Sequence, residues 1–329
     1  MMDWALFRDL LAQDSTSGKE RGLAQWLLER LEAPSVQSFE VGDGTLNLLL
    51  SWGRPQVVFC THMDTVPPYI APVFDTEEIR GRGSCDAKGQ LLALYTACKR
   101  LEADGREGFG LLLLSGEETG SLGAKAFSQT GFEAPFLIVG EPTENKMVSA
   151  AKGTRSYDLV FRGAAFHSGY PQYGVSAVDR FNDFYNALKA ADFGPDPLLG
   201  DTTWNIGQLH SDNPQNILSP ELRCRLYFRT TFVSDAAVRA WMSRLSPDLS
   251  VTDRGGDAPA RYCTLPGFAS APVAFGSDAP HLSGFGRKII CGPGSIRTAH
   301  RDDECIRRAD MEEAVALYVQ MFHILTKEQ

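Results

Sequence analysis

Hydrophobic and polar positions follow two textures along this chain. Up to Glu141 the apolar residues come in short unbroken runs: LNLLLS at 46–51, VVFCT at 57–61, FGLLLLS at 109–115 and FLIVG at 136–140. Runs of this length without a polar alternate predict strands buried on both faces. Helical patterns lie around them. DWALFRDLLAQ (3–13) reads as a short amphipathic helix. STSGKERGLAQWLLERLE (15–32) reads as a helix opened by a capping box from Ser17 to Glu20. AKGQLLALYTACKRLEAD (87–104) and SLGAKAFSQ (121–129) read as two more helices. Strands alternating with helices predict an α/β layer with a largely parallel sheet.

After Glu141 the texture changes. RSYDLVFRG, TTWNIGQLH, ELRCRLYFRTTF and LSVTDRG alternate as half-buried strands, with helices expected at SAVDRFNDFYNALKAA and DAAVRAWMSRLS. In ELRCRLYFR the alternation is strict. Leu222, Cys224, Leu226 and Phe228 share one face, and Arg223, Arg225, Tyr227 and Arg229 share the other. That pattern predicts a small α+β domain whose sheet is covered on one side. RKIICGPGS (287–295) and a helix from about Asp310 then resume the first texture. The expected organisation is therefore an α/β domain over 1–149 and 256–329, with an α+β domain inserted at 150–255.

Composition narrows the function classes. The 329 residues carry a net charge of −9, which argues against binding to nucleic acid or an anionic membrane surface. No segment approaches the ~18 apolar residues of a membrane span. MMDWALFRDLLAQDSTSG lacks the basic start and apolar stretch of a secretory leader. The seven cysteines (60, 85, 98, 224, 263, 291, 305) form no CxxC pair, so reduced thiols and a cytoplasmic location are expected.

The candidate chemistry lies at the strand ends. In open α/β sheets, functional groups gather beyond the carboxyl ends of parallel strands. There the chain places His62 and Asp64 after VVFC, Glu117 and Glu118 after LLLLSG, Glu141 after FLIVG, and His300 after IICGPGS. Asp86 stands in the loop GRGSCDAKG. Imidazoles and carboxylates together suit two divalent metals, with one carboxylate spanning both. Asp64, two residues from His62, is placed to hold that ring's far nitrogen. Of Glu117 and Glu118, one is expected to bind metal and the other to take a proton from the attacking water. The nearby cations offset the cost of two adjacent carboxylates.

The motifs THMDTVP, GRGSCDAKG, SGEETGS, VGEPTE and GPGSIRTAHRDDE, with GAAFHSGYP and NPQNILSPELRCRLYFR among them, stand in this order between Thr61 and Glu304, and the resemblance they carry covers nearly the whole chain. They resemble the co-catalytic zinc metallopeptidases and amidohydrolases that include acetylornithine deacetylase, succinyl-diaminopimelate desuccinylase, aminoacylase and glutamate carboxypeptidase. The resemblance implies a catalytic domain with an inserted lid and dimerisation domain. It implies that Asp86 bridges two metal ions, with His62 and Glu141 completing one site and Glu118 and His300 the other. It makes Glu117 the general base and later acid, and Asp64 the residue that orients His62. His167 corresponds to the lid histidine that reaches the partner subunit's active site and steadies the oxyanion. Arg229 stands where relatives place a substrate-carboxylate arginine, and Asn216 lies in a segment that approaches substrate. Zinc is the expected metal, and cobalt or manganese fit the same donors.

The implied reaction is hydrolysis of the amide of a small N-acyl amino acid, as by an acetylornithine deacetylase, in a homodimer joined through the lid. Two alternatives stand beside it: a dipeptidase or carboxypeptidase with the same chemistry, and a non-catalytic binding protein that kept the fold. The interval from Asp64 to Asp86 is short for this family, so one loop beside the site is trimmed. His210 and His323 are expected to be structural, and His281 either lines the pocket or closes a turn.

Overall fold

The computed structural model describes residues 2–42, 44–245 and 249–327. The first helix, α1 (Trp4–Leu11), begins where the Asp3 carboxylate accepts the Leu6 N–H at 2.9 Å, and it buries Phe7, Leu10 and Leu11. α2 (Glu20–Arg30) begins differently from the expectation. Its N-terminus has no side-chain cap, and the Glu20 carboxylate accepts the Gly18 N–H at 2.7 Å. Ser17 instead donates its hydroxyl to the buried Asp64 carboxylate at 3.0 Å. An ionised buried acceptor competes better for that hydroxyl than a backbone N–H does.

The chain continues through β1 (Ser35–Glu40), β2 (Leu46–Trp52), β3 (Val57–His62), β4 (Val73–Phe74), β5 (Glu78–Arg80), α3 (Lys88–Ala103), β6 (Phe109–Leu114), α4 (Leu122–Ser128), β7 (Ala134–Val139) and β8 (Met147–Ala151). Then come β9 (Gly153–Arg162), α5 (Ala177–Ala190), β10 (Thr203–His210), β11 (Glu221–Thr230), α6 (Asp235–Ser243), β12 (Leu249–Asp253) and β13 (Ala260–Arg261). β14 (Ser270–Val273), β15 (Phe285–Ile290), β16 (Cys305–Arg307) and α7 (Arg308–Lys327) complete it. Ser246, the last residue of the expected helix at 235–246, lies outside the described residues. Among the described residues no helix is long and apolar enough to cross a membrane.

The chain divides into two compact units. The first comprises Met1–Ser149, Tyr262–Ala271 and Ser277–Gln329. It holds a six-stranded sheet in the order β1-β2-β6-β3-β7-β15. β6, β3, β7 and β15 run parallel, and β2 is antiparallel to β6. β3 and β6 are buried at every position, as their unbroken apolar runs require. Trp52 stacks on Phe109 at 5.0 Å between centroids, and Tyr318 of α7 meets Phe59 edge-on at 6.0 Å. The pairing of His62 with Leu114 ends β3 and β6 together, so the segments after both emerge at one rim. β1 is exposed along nearly its whole length, so no apolar run announces it. The short sheet β16-β5-β4 also left no readable period, because its strands have two or three residues.

The second unit comprises Ala150–Arg261 and Pro272–Gly276. It runs past residue 255 because β13 pairs with β8 (Ala260 opposite Ala151) and Lys152 N–H donates to Val273 O at 3.1 Å. Its antiparallel sheet has the order β10-β11-β9-β12. Leu222, Cys224, Leu226 and Phe228 pack into one core with Phe184 and Leu188 of α5 and Val238 and Met242 of α6. The opposite face carries charge: Arg225 pairs with Asp158 at 2.7 Å, and Arg223 with Glu221 at 2.7 Å.

Candidate metal centre

Each parallel strand of the first unit delivers a polar group to the same rim. His62, the last residue of β3, is 1% exposed. Its Nε2 lies 2.9 Å from Asp86 Oδ1. The other Asp86 oxygen lies 3.3 Å from His300 Nε2, which also approaches Glu118 Oε1 at 2.8 Å. Asp86 is thus shared between two histidines, one oxygen to each. Three donor sets each have their ligand atoms within 4.8 Å of one another: His62, Asp86 and Glu141; Asp86, Glu118 and His300; and His62, Glu117 and Glu118.

The electrostatics of this cluster favour a bound cation. Burial pushes the Glu117 and Glu141 carboxyls well above the ordinary glutamate value, and nearby Asp86 and Asp278 add to it. Burial likewise lifts Asp278 to about 6. Burial alone would raise Asp86, but the two histidine rings outweigh it and hold that carboxyl well below its ordinary range. His300 is pushed up to about 10 by Asp86 and Glu118. One buried oxygen of Glu141 and one of Asp278 have no hydrogen-bond partner. Buried unpartnered carboxylate oxygens beside neutralisable imidazoles are costly unless a cation meets them. The donors present, imidazole nitrogen and carboxylate oxygen, therefore fit divalent metal ions. Cys85 is not among them. Burial pushes its thiol well above the ordinary cysteine value, away from the thiolate a metal would need, and its sulfur faces Ser295 O at 3.6 Å.

Asp64 lies at the far nitrogen of His62, as expected, and reaches further along the rim than the expectation gave it. The far nitrogen of His62, Nδ1, is closer to the Asp64 backbone carbonyl (3.0 Å) than to its carboxylate (3.4 Å). The carboxylate also accepts the Glu117 N–H (3.0 Å), the Glu118 N–H (3.1 Å) and the Ser17 hydroxyl. Burial alone would raise its pKa; the His62 ring and the two backbone N–H groups outweigh that and keep it low. A single ionised side chain thus ties the histidine to the turn carrying both glutamates.

Four residues of this neighbourhood were not placed at the site from the sequence: Ser17, which was read only as a helix cap, Arg82, Asp278 and Glu304. Arg82 and Glu304 form an ion pair at 2.6 Å with side chains 2% and 0% exposed. Burial lifts the Glu304 carboxyl, against the backbone N–H groups of Asp86 and Cys85 and the Arg82 side chain that draw it down. A lone Arg or Glu in a polar loop reads as solvated, so only the fold reveals the pair. The one sequence signal was Glu304's place four residues after His300.

The other three sequence-predicted residues lie in the second unit. His167 is exposed, accepts the Gly169 N–H on Nδ1 at 3.1 Å, and lies 5.9 Å from the Tyr170 ring. Asn216 is joined to this segment through Ser168 N–H, which donates to its backbone oxygen at 2.9 Å. Arg229 sits elsewhere, on β11, with its guanidinium 5.0 Å over the Tyr227 ring. Among the described residues it makes no ion pair, unlike Arg223 and Arg225 on the same strand.

Comparison with known proteins now has a geometry to meet. The family described as peptidase family M20/M25/M40 matches residues 58–323. That span contains every donor just described. The chain belongs to the M20 family.

A probable carboxypeptidase of Aspergillus flavus is 31% identical over 365 residues, covering 94% of this chain and 84% of that protein. A tripeptidase of Staphylococcus aureus has the same fold, with a TM-score of 0.83, 19% identity and coverage of 99% and 100%. A dinuclear metal-binding M20 peptidase of Bacillus subtilis aligns with a TM-score of 0.67 at 11% identity, over 98% and 97% of the two chains. As an M20 protein, this chain is a metal-dependent peptidase or amidohydrolase, and the family grouping read from its motifs holds.

Proposed function

We propose that this M20 enzyme uses two divalent metals to hydrolyse a short peptide at the amide beside a free carboxylate. The observation that carries the two-metal reading is the Asp86 carboxylate, with one oxygen 2.9 Å from His62 and the other 3.3 Å from His300. His62, Asp86 and Glu141 would hold one ion, and Asp86, Glu118 and His300 the other. Zinc suits these donors, as do cobalt and manganese. Bound there, the pair would acidify water and polarise the scissile carbonyl.

The remaining steps belong to side chains. Glu117 takes a proton from the attacking water and returns it to the leaving amine. Burial raises its pKa, which favours taking the proton. His167 donates to the developing oxyanion, Asn216 contacts substrate, and Arg229, which makes no ion pair among the described residues, pairs with the substrate's carboxylate.

This reading moves the substrate from the N-acyl amino acid expected at first toward peptides. The support is the curated relative, itself a probable carboxypeptidase. The test is amine release from dipeptides, tripeptides, their C-terminal amides and N-acetyl amino acids, with and without zinc or cobalt. Metal-dependent cleavage of the free-acid peptides is expected, with amides ~10-fold or more slower because an Arg–carboxylate pair is lost. Faster cleavage of N-acetyl amino acids than of any peptide would return the enzyme to the deacylases.

A homodimer is part of this proposal, and the geometry of the second unit supports it. Arg229 lies eight residues along β11 from Glu221, about 26 Å at strand rise. Beyond Glu221 the pairing continues away from Arg229, through Gly163 with Pro220, Leu218 with Phe166, and Ser168 with Asn216. His167 and Arg229 are therefore too far apart to grip one small substrate from the same copy. If both act on it, His167 comes from a second copy. Light scattering is expected to give a dimer, and His167→Ala to lower kcat ~10²-fold. A fully active monomer would remove His167 from the mechanism.

A further inference from the structure

The two donor sets are held by different kinds of structure. His62 closes β3 within the sheet, and Glu141 follows β7, where Gly140 N–H donates to Cys60 O at 2.8 Å. Asp86 and His300 stand on loops. His300 has a left-handed backbone (φ +63°), a conformation that persists in a non-glycine residue only where the surroundings hold it.

One buried pair does that holding. Glu304 Oε1 accepts the N–H groups of both Cys85 and Asp86 at 3.0 Å. Its other oxygen accepts Arg82 Nη1 at 2.6 Å. The same Arg82 nitrogen donates at 3.1 Å to the carbonyl of Arg301, the residue after His300. Arg82 Nε donates to Pro68 O, and Gly81 N–H to Glu304 O. The pairing of β5 with β16, Arg80 opposite Cys305, anchors the far side of both loops. The Arg82–Glu304 pair thus grips the backbone beside Asp86 and beside His300 at once. It makes no hydrogen bond to His62 or Glu141.

We propose that Glu304, backed by Arg82, is a positioning residue for one of the two metal sites. It sets Asp86 and His300 relative to each other, so its loss weakens the Asp86–Glu118–His300 site and spares the His62–Asp86–Glu141 site. The inference rests on the two-site reading above. The structural alternative is a pair that only stabilises the fold, which would leave metal affinity alone or weaken both sites together.

The test titrates Zn²⁺ into metal-free wild type, Glu304→Gln and Arg82→Lys by calorimetry, with metal analysis after dialysis and Co²⁺ absorption as a geometry readout. Wild type is expected to show two binding events. Glu304→Gln should keep the tight event within threefold and weaken the other ~10–100-fold, as loss of a residue that orients ligands does. Excess metal should restore its kcat with KM unchanged. Arg82→Lys keeps the charge but loses the fork reaching Pro68 and Arg301, and should shift the same event; it carries the test if Glu304→Gln melts out. Two events of wild-type affinity, or equal weakening of both, would overturn the proposal. Fewer than two events in wild type would overturn the two-site reading, and the proposal with it.

Discussion

Glu117→Gln is expected to lower kcat by about 10²–10⁴-fold while both metals stay bound. The amide keeps the size and polarity of the carboxylate but cannot accept and return a proton. The anchor of this residue is its backbone N–H on Asp64, at 3.0 Å, which the substitution leaves in place. Glu117 is the base in this proposal. Burial lifts its pKa and the Glu118, Asp86 and Asp278 charges add, so it holds a proton more readily than an exposed glutamate. Metal analysis beside steady-state kinetics checks the expectation. Glu118→Gln serves as the contrast. Glu118 reaches His300 at 2.8 Å, so its loss should show first as lost metal. If Glu117→Gln keeps kcat within threefold, or loses metal as Glu118→Gln does, the two roles are misassigned.

Asp86→Ala is expected to abolish turnover and leave neither metal bound after dialysis. No other described residue appears in both donor sets that contain a single His and complete a site in the proposal: His62–Asp86–Glu141 and Asp86–Glu118–His300. Removing it leaves each site with two ligands, and leaves Glu118 and Glu141 with less positive charge to face. The carboxylate also holds both rings, at 2.9 Å and 3.3 Å, so the histidines lose their shared anchor. Chelation of wild type should reach the same inactive state, with one difference. Added zinc or cobalt restores chelated wild type and does not restore Asp86→Ala. Retention of one tight metal by the variant would mean that Asp86 serves a single site.

Much of this centre was legible because its residues occupy strand ends. An apolar run such as VVFC or LLLL cannot end in a buried sheet without a loop, and the polar residues directly after it share the rim. His62, Glu117, Glu118, Glu141 and His300 were placed at the rim that way, and Asp86 was added from the loop GRGSCDAKG. Ser17 was misread because the local rule for a helix start competes with an acceptor 47 residues away. Asp278 and the Arg82–Glu304 pair stayed hidden because burial, not spacing, makes a charged side chain matter. β4, β5 and β16 were missed because two or three residues carry no period.

The chain by itself determined the alternation of strands and helices, the strict two-faced pattern of ELRCRLYFR, and the donor types at the rim. These follow from local periodicity and from which residue ends each strand, and a linear sequence records both. Only the tertiary structure decided that Asp64 gives its carboxylate oxygens to two backbone N–H groups and that, among the described residues, Arg229 makes no ion pair while Arg223 and Arg225 do. Each of those depends on distances between residues far apart in the chain, set when apolar faces pack and force polar groups to find partners or remain costly. The Arg82–Glu304 pair is the clearest case. Its two residues are 222 positions apart, and it becomes intelligible only where the loops beside Asp86 and His300 meet.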